Sequence, residues 1–334
     1  MINLAFLSVI VSLFSVFLVM PFWIRKTKRI GLTWKDMNKL DGKDIAGSGG
    51  LIVVMGFILG SLVYIAVQTF LFQGGNHFLE VFTITTSILI LAGIGIIDDL
   101  FGWHHGGLRK KVRLILVFFA AIPLMVINAG SSEIFIPFLG SVNLGIIYPL
   151  IFIPIGIVGA TTTFNFLAGY NGLEAGQGIL IISSLALVAF LTGSEWLSII
   201  ATSMVISLFV FLVFNKYPAK VFPGDVLTYP IGGFIAIMAI LGNFELFATF
   251  IFIPYVLETG LKLRGRLRKQ SFGDPQPDGS LRNKYEKYYG LEHVAIGILE
   301  RIKKSKKAYE WEVVLLIHLF QIIIIAVGFW LFII

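Results

Sequence analysis

The sequence predicts an all-α, polytopic membrane protein with about ten transmembrane helices, and three observations predict it. Of 334 residues, 57% are hydrophobic and only 13% are charged, whereas a soluble domain is about half apolar and about a quarter charged. Ten runs are apolar enough to cross a bilayer core, which takes roughly 20 such residues in a helix. Once those runs are alternated across the membrane, all 26 Lys and Arg residues fall on one side. Basic residues accumulate in cytoplasmic loops, so the segregation supports both the count and an orientation with both termini outside.

Taken in order, the runs are Ile2–Trp23, Gly49–Phe70, Leu79–Ile97, Val112–Ile127, Leu144–Phe164, Gly178–Leu191, Trp196–Phe214, Val226–Leu241, Phe244–Leu261 and Trp311–Ile333. The first carries no charge and is followed by Arg25, Lys26, Lys28 and Arg29. A cleaved signal peptide would carry its basic residues before the run, so a retained span is expected. The sixth and eighth runs are short and predict tilted or protein-buried helices. The inside loops are 24–48, 98–111, 165–177, 215–225 and 262–310, with Arg113 at the inside mouth of the fourth run. The outside loops hold only the acids Glu80, Glu133, Glu195 and Glu245. No Asp, Glu, Lys or Arg falls near a predicted midplane, where a charge costs about 2.5–3.5 kcal/mol; His318 comes nearest. Ion-coupled transporters accept that cost, so the pattern argues against a pump or transporter. With no Cys, disulfides and thiolate–metal sites are excluded. The formal net charge of +7 fits an anionic membrane surface rather than a nucleic acid.

Four constellations gather on the inside face. Asp98 and Asp99 end the third run, and two carboxylates at a helix C-terminus are unfavourable unless a cation offsets them. They suit a hard divalent cation or a proton acceptor; Arg109, Lys110 and Lys111 could also balance them as a plain solvated end. The loop Asn165-Phe-Leu-Ala-Gly-Tyr-Asn171-Gly-Leu-Glu174-Ala-Gly-Gln177 has no basic residue, yet supplies amide and carboxylate oxygens among residues small enough for close approach. Helix packing through Gly and Ala is the plainer reading, but it needs no pair of asparagines. Phe222-Pro-Gly-Asp225 is a turn whose acid opens the eighth run, as a helix cap, a metal ligand or both. The segment 262–310 is the one long hydrophilic stretch. It opens with Arg264 and Arg266, whose forks suit phosphate, turns at Asp278-Gly279, and continues as a basic amphipathic helix on the membrane. Together these suit metal-assisted handling of a soluble phosphorylated donor and a lipid acceptor.

Asp98-Asp99, the Asn165–Gln177 string and Phe222-Pro-Gly-Asp225 resemble the polyprenyl-phosphate N-acetylhexosamine-1-phosphate transferases, most of all the dolichyl-phosphate N-acetylglucosaminephosphotransferase branch. The resemblance covers essentially the whole chain and includes Asp36-Met-Asn38-Lys39 and Ser48-Gly49-Gly50. It implies Mg²⁺, with Mn²⁺ as an alternative, held by Asn165 and Asp225. It implies that Asn171 and Phe222 meet uracil, with Glu174 among the substrate-binding residues, and that Arg264 and Arg266 grip the donor pyrophosphate. Asp98 and Asp99 act on the lipid phosphate or order the metal site. Relatives carry a Lys downstream of the acid pair; Lys110, Lys111 and Arg113 are the candidates here. Gly265 stands where relatives often have His, and the His-rich motif of the bacterial members is missing. The activity implied is transfer of N-acetylglucosamine 1-phosphate from UDP-N-acetylglucosamine to a polyprenyl or dolichyl phosphate with release of UMP, in the cell membrane or the endoplasmic reticulum membrane. One displacement or a covalent aspartyl intermediate could accomplish it. Relatives dimerise, so a homodimer is expected by analogy. The rival readings are the same reaction on undecaprenyl phosphate or another UDP-N-acetylhexosamine, and a lipid-phosphate flippase.

Overall fold

Helices account for each apolar run, and their breaks fall where proline dictates. The structure is a computed structural model and describes residues 2–72, 74, 77–136 and 140–333. Its helices are α1 (Ile2–Ile30), α2 (Gly50–Leu71), α3 (Phe78–His105), α4 (Lys110–Phe119), α5 (Ile122–Val126), α6 (Ile153–Phe164), α7 (Leu173–Leu191), α8 (Glu195–Asn215), α9 (Asp225–Gly242), α10 (Glu245–Ile251), α11 (Ile253–Arg264), α12 (Leu291–Ile302) and α13 (Glu310–Phe332). Among the described residues, 7 of these are long and apolar enough to cross a membrane singly, namely α1, α2, α3, α7, α8, α9 and α13. The pair α10 and α11 passes the same test only taken together and is bent by 54°, the geometry of a broken span or a re-entrant loop. Pro254 stands near the start of α11, where its missing N–H and its ring interrupt the ladder. The predicted fourth span is divided into α4 and α5 ahead of Pro123. The fifth begins as a π-helical turn, Tyr148–Phe152, before α6.

Two sequence boundaries are corrected. The acid pair does not end α3, which runs on to His105 and stops at Gly106, in the left-handed conformation with φ 82°. The carboxylates were mistaken for a terminus because their compensation comes from other segments. The second half of the predicted 165–177 loop is likewise helical, since α7 starts at Leu173. The short sixth span thereby gains a turn.

The centre of the molecule is α9. Every residue from Val226 to Ile240 is buried, and α2, α3, α6, α7, α8 and α10 pack around it. A helix that is apolar all round belongs inside such a ring, and being protein-buried explains its modest length. Close approach to α3 depends on Gly95, where a methyl group would collide with the backbone of Asp225 and Val226. That contact brings the carboxylates of α3 to the first turn of α9. Peripheral helices α1 and α13 expose Phe14, Phe17 and Phe22, and Leu315, Leu319 and Ile322, as lipid-facing surfaces should.

Small sheets ornament the bundle. Strand β1 (Thr33–Lys35) pairs with β2 (Asp44–Ala46), and β3 (Glu133–Ile136) with β4 (Gly140–Asn143). Strand β5 (Asp274–Pro275) joins β6 (Ser280–Arg282) through the turn at Asp278, and β7 (Ala308–Tyr309) completes a three-stranded sheet. The Lys307 ammonium and Ser280 hold the Asp278 carboxyl below the usual range. Helix α12 docks one face on the protein, burying Glu292, His293, Ala295 and Ile296, and leaves Ile302 77% exposed. The expected membrane stripe is therefore shared between protein and surroundings. Burial pushes the His293 imidazole down to about 4. A histidine with a depressed folded pKa contributes stability that is present above about 6.5 and lost as pH falls toward 4. Thermal melts between those limits should show a loss on the order of 3 kcal/mol that His293→Asn largely removes. Burial beside Glu258 pushes the Glu292 carboxyl well up, which opposes this trend with the contrary sign.

Candidate active site

A cavity of about 620 Å³ opens where the end of α3, the first loop, the 165–172 loop and the turn before α9 meet. Asp98, Asp99, Arg113, Asn165, Phe222 and Asp225 all line it. The turn before α9 is tied to the first loop. The Phe222 N–H donates to the Ala46 carbonyl at 2.7 Å, and the N–H groups of Gly49 and Gly50 donate back to the carbonyls of Phe222 and Pro223, each at 2.9 Å.

The two adjacent acids have different surroundings. Asp99 receives the Asp225 N–H at 2.7 Å on one oxygen, and the Ser48 hydroxyl at 2.9 Å and the Val226 N–H at 3.5 Å on the other. It therefore caps α9 from a neighbouring helix. Gly224 makes room for it: φ is 73°, and a side chain there would collide with the Asp99 carboxylate. The N-cap of α9 is Gly224 and Asp225 is the first residue inside the helix, with its side chain on the cavity wall.

Asp98 accepts the Leu108 N–H at 2.7 Å on one oxygen. The other oxygen takes the Tyr229 hydroxyl at 2.7 Å and the Arg113 guanidinium at 2.6 Å. Tyr229 also reaches Asp225 at 3.1 Å, and Arg113 lies 3.7 Å from Asp225. Asp98 and Asp225 thus face each other across two shared partners, the Tyr229 hydroxyl and the Arg113 guanidinium. Two carboxylates this close in a buried site repel unless a cation or proton stands between them. One turn away, Thr228 donates to the Asn165 amide oxygen at 3.0 Å, which places that oxygen beside the same helix end. Hard oxygens from Asp225 and Asn165 fit a divalent cation of the kind that keeps some positions for substrate phosphates. Among the described residues, no three or more His, Cys, Asp or Glu side chains are grouped to hold a metal by themselves.

A buried polar network reaches the cavity wall. Glu174 lines the cavity, accepts the Gly169 N–H at 2.8 Å, and has no partner for its second oxygen among the described residues. Asn171 does not line the cavity. Its N–H donates to Glu310 at 2.8 Å, and its amide donates to Asp36 at 3.2 Å and Glu310 at 3.4 Å. Asp36 does line the cavity and pairs with Lys39 at 2.6 Å. Asn38 bonds the Gly169 carbonyl at 3.1 Å and accepts the Gly273 N–H at 3.3 Å. The first loop, the 165–172 loop, the 267–273 segment and α13 are thereby joined.

Lys111, Arg264 and Arg266 are exposed and outside the cavity lining. The cation that the structure brings to the acid pair is Arg113. A second cavity of about 310 Å³ shares Arg113, Asn165 and Gln270 with the first and adds Lys110, Lys262 and Lys269. Lys262 is held by Glu258 at 3.3 Å and by the Ser271 hydroxyl. Sequence reasoning missed Tyr229, Thr228 and Glu310. Tyr229 lies four residues after Asp225 and so on the same helix face, a spacing that could have found it.

Compared with known proteins, residues 81–243 match the model of glycosyl transferase family 4. The chain is 36% identical over 315 residues, 93% of its length and 91% of the other, to a Saccharolobus solfataricus protein provisionally named UDP-N-acetylglucosamine–dolichyl-phosphate N-acetylglucosaminephosphotransferase. It is 32% identical over 269 residues to the Dictyostelium discoideum protein of that same name, covering 69% of this chain and 64% of that one. To a phospho-N-acetylmuramoyl-pentapeptide-transferase of Halalkalibacterium halodurans it is 33% identical over 219 residues, covering 63% and 65%.

Proposed function

Because the chain belongs to glycosyl transferase family 4, we propose that it transfers N-acetylglucosamine 1-phosphate from UDP-N-acetylglucosamine to a dolichyl-type polyprenyl phosphate, releasing UMP. Family membership makes it a sugar-phosphate transferase; the relatives in Saccharolobus and Dictyostelium point to this donor and acceptor. The observation that carries the reading is the meeting of Asp98, Asp225 and Arg113 in one cavity with Asn165 beside them.

A phosphate oxygen of the lipid attacks the donor's β-phosphorus, and the bond from that phosphorus to the oxygen bridging it to the α-phosphorus breaks. Asn165 and Asp225 would hold Mg²⁺ or Mn²⁺, which when bound offsets charge on the donor phosphates. Arg113 spans Asp98 and Asp225 and carries a fixed positive charge where acceptor and donor oxygens must meet. Tyr229 holds the two carboxylates in register. A phosphate monoester is already largely ionised at neutral pH, with a second pKa of about 6, so Asp98 orients the acceptor and removes any remaining proton. The four basic side chains of the second cavity receive the lipid phosphate. Its tail follows an apolar groove of about 720 Å³ that begins at Leu114, a residue of both hollows, and runs past Phe118, Ile151 and Ile155. Phe222 packs on the base, Glu174 and Asn171 fix the loop around it, and Arg264 and Arg266 meet the donor diphosphate as it arrives.

Purified protein with Mg²⁺, UDP-N-acetylglucosamine and dolichyl phosphate should release UMP; a panel of UDP-sugars and polyprenyl phosphates then ranks the substrates. Loss of lipid phosphate from one leaflet without UMP would establish a flippase instead. Tyr229→Phe should slow release by about 10- to 100-fold, the scale of hydrogen bonds to charged groups, with the fold retained by circular dichroism.

A further inference from the structure

Four aromatic side chains line the cavity, Trp34, Tyr170, Phe222 and Phe272, and of these Trp34 stands closest to the Phe222 turn through the Gly47–Ser48 backbone. Trp34 lies in β1, opposite Ile45 of β2, and its half-buried indole lines the cavity wall. The ring rests on Gly47, where even a methyl group would overlap the six-membered ring of the indole. That peptide is held from behind, because Trp23 Nε1 donates to the Gly47 carbonyl at 3.0 Å. The flanking residues Ala46 and Gly49 are bonded to both backbone groups of Phe222, at 2.7 and 2.9 Å. Trp34 and Phe222 are therefore neighbours across the Gly47–Ser48 backbone, and both are on the wall. The Trp34 indole is half-buried and its N–H is not among the buried atoms that lack a partner, so the donor stays accessible to a bound molecule. A flat apolar face on the cavity wall matches the face of a pyrimidine ring.

We propose that Trp34 is a second aromatic wall of the nucleobase pocket, packing against a pyrimidine nucleoside diphosphate beside Phe222. This rests on the uridine nucleotide being the donor. Gly47 then serves as the clearance that lets the indole take this position. Stacking supplies affinity for the donor and takes no part in the displacement at phosphorus, so the effect belongs in KM.

The test uses the full-length protein in detergent with Mg²⁺, following tryptophan emission during titration with UDP and, separately, inorganic pyrophosphate. UDP should change the emission, pyrophosphate should not, and Trp34→Phe should abolish the UDP response while keeping the wild-type melting temperature. In the UMP-release assay, Trp34→Ala should raise KM for the UDP-sugar about tenfold with kcat changed less than about threefold, the scale of one lost base–aromatic stack. Trp34→Phe should keep KM within about threefold, since a ring face remains. A purely structural tryptophan would lower the melting temperature and leave KM alone. An undiminished UDP response in Trp34→Phe, or an unchanged KM in a Trp34→Ala enzyme that melts normally, overturns the proposal and leaves the transferase reading standing. A wild type that neither responds to UDP nor releases UMP from any UDP-sugar overturns both.

Discussion

Asp225→Ala should lower UMP release by about a thousandfold, near the upper end of losses seen when one transition-state contact is removed, while the protein folds and melts as before. The backbone of residue 225 is bonded to Asp99, whichever side chain it carries. Among the described residues its carboxylate meets the Tyr229 hydroxyl and the Arg113 guanidinium, and 24% of the side chain is exposed. Removing it therefore empties the site and spares the helix. Asp225→Asn keeps the shape and isolates the charge, so it should be nearly as damaging and should need more Mg²⁺ for half-maximal rate. Near-normal rates in either variant would refute the metal assignment.

The adjacent acids should fail in opposite ways. Asp99→Ala strands two buried N–H groups and the Ser48 hydroxyl, and should cost about 2–4 kcal/mol of stability. Its signature is a lower melting temperature and poor recovery from the membrane. Asp98→Asn keeps an acceptor for Leu108 but loses the charge facing Arg113; the melting temperature should hold while kcat falls by about 10²–10³. Measuring melting and UMP release on both variants separates the cap from the catalytic group. If Asp98→Asn melts early with normal turnover, the roles are reversed.

The residues that meet in the cavity were legible because they come in dense local strings. Asp98, Asn165 and Asp225 each stand in a loop-like sequence beside an apolar run, and charge segregation alone put them on one face. Partners arriving from elsewhere in the chain left no such mark. Nothing around Ser48 announces that it shares Asp99 with the start of α9, and nothing around Glu310 announces Asn171, 139 residues earlier. The end of α3 was misplaced for the same reason: carboxylates terminate an isolated helix, but these are met by Arg113 and by the amides of another helix. The paired arginines show the converse. Their number and spacing are plain in the sequence, yet Arg264 and Arg266 lie exposed at the end of α11, because a guanidinium's reach depends on where the preceding helix stops.

Capping by Asp99 has a consequence for the nucleotide. Many phosphate-binding proteins cradle the anion on free amides at a helix start. Here those amides at the head of α9 already face a carboxylate from within the protein, so an incoming diphosphate meets negative charge at the place where such proteins offer positive. Attraction must come from mobile cations and flexible basic side chains, and donor affinity should accordingly weaken steeply as ionic strength rises.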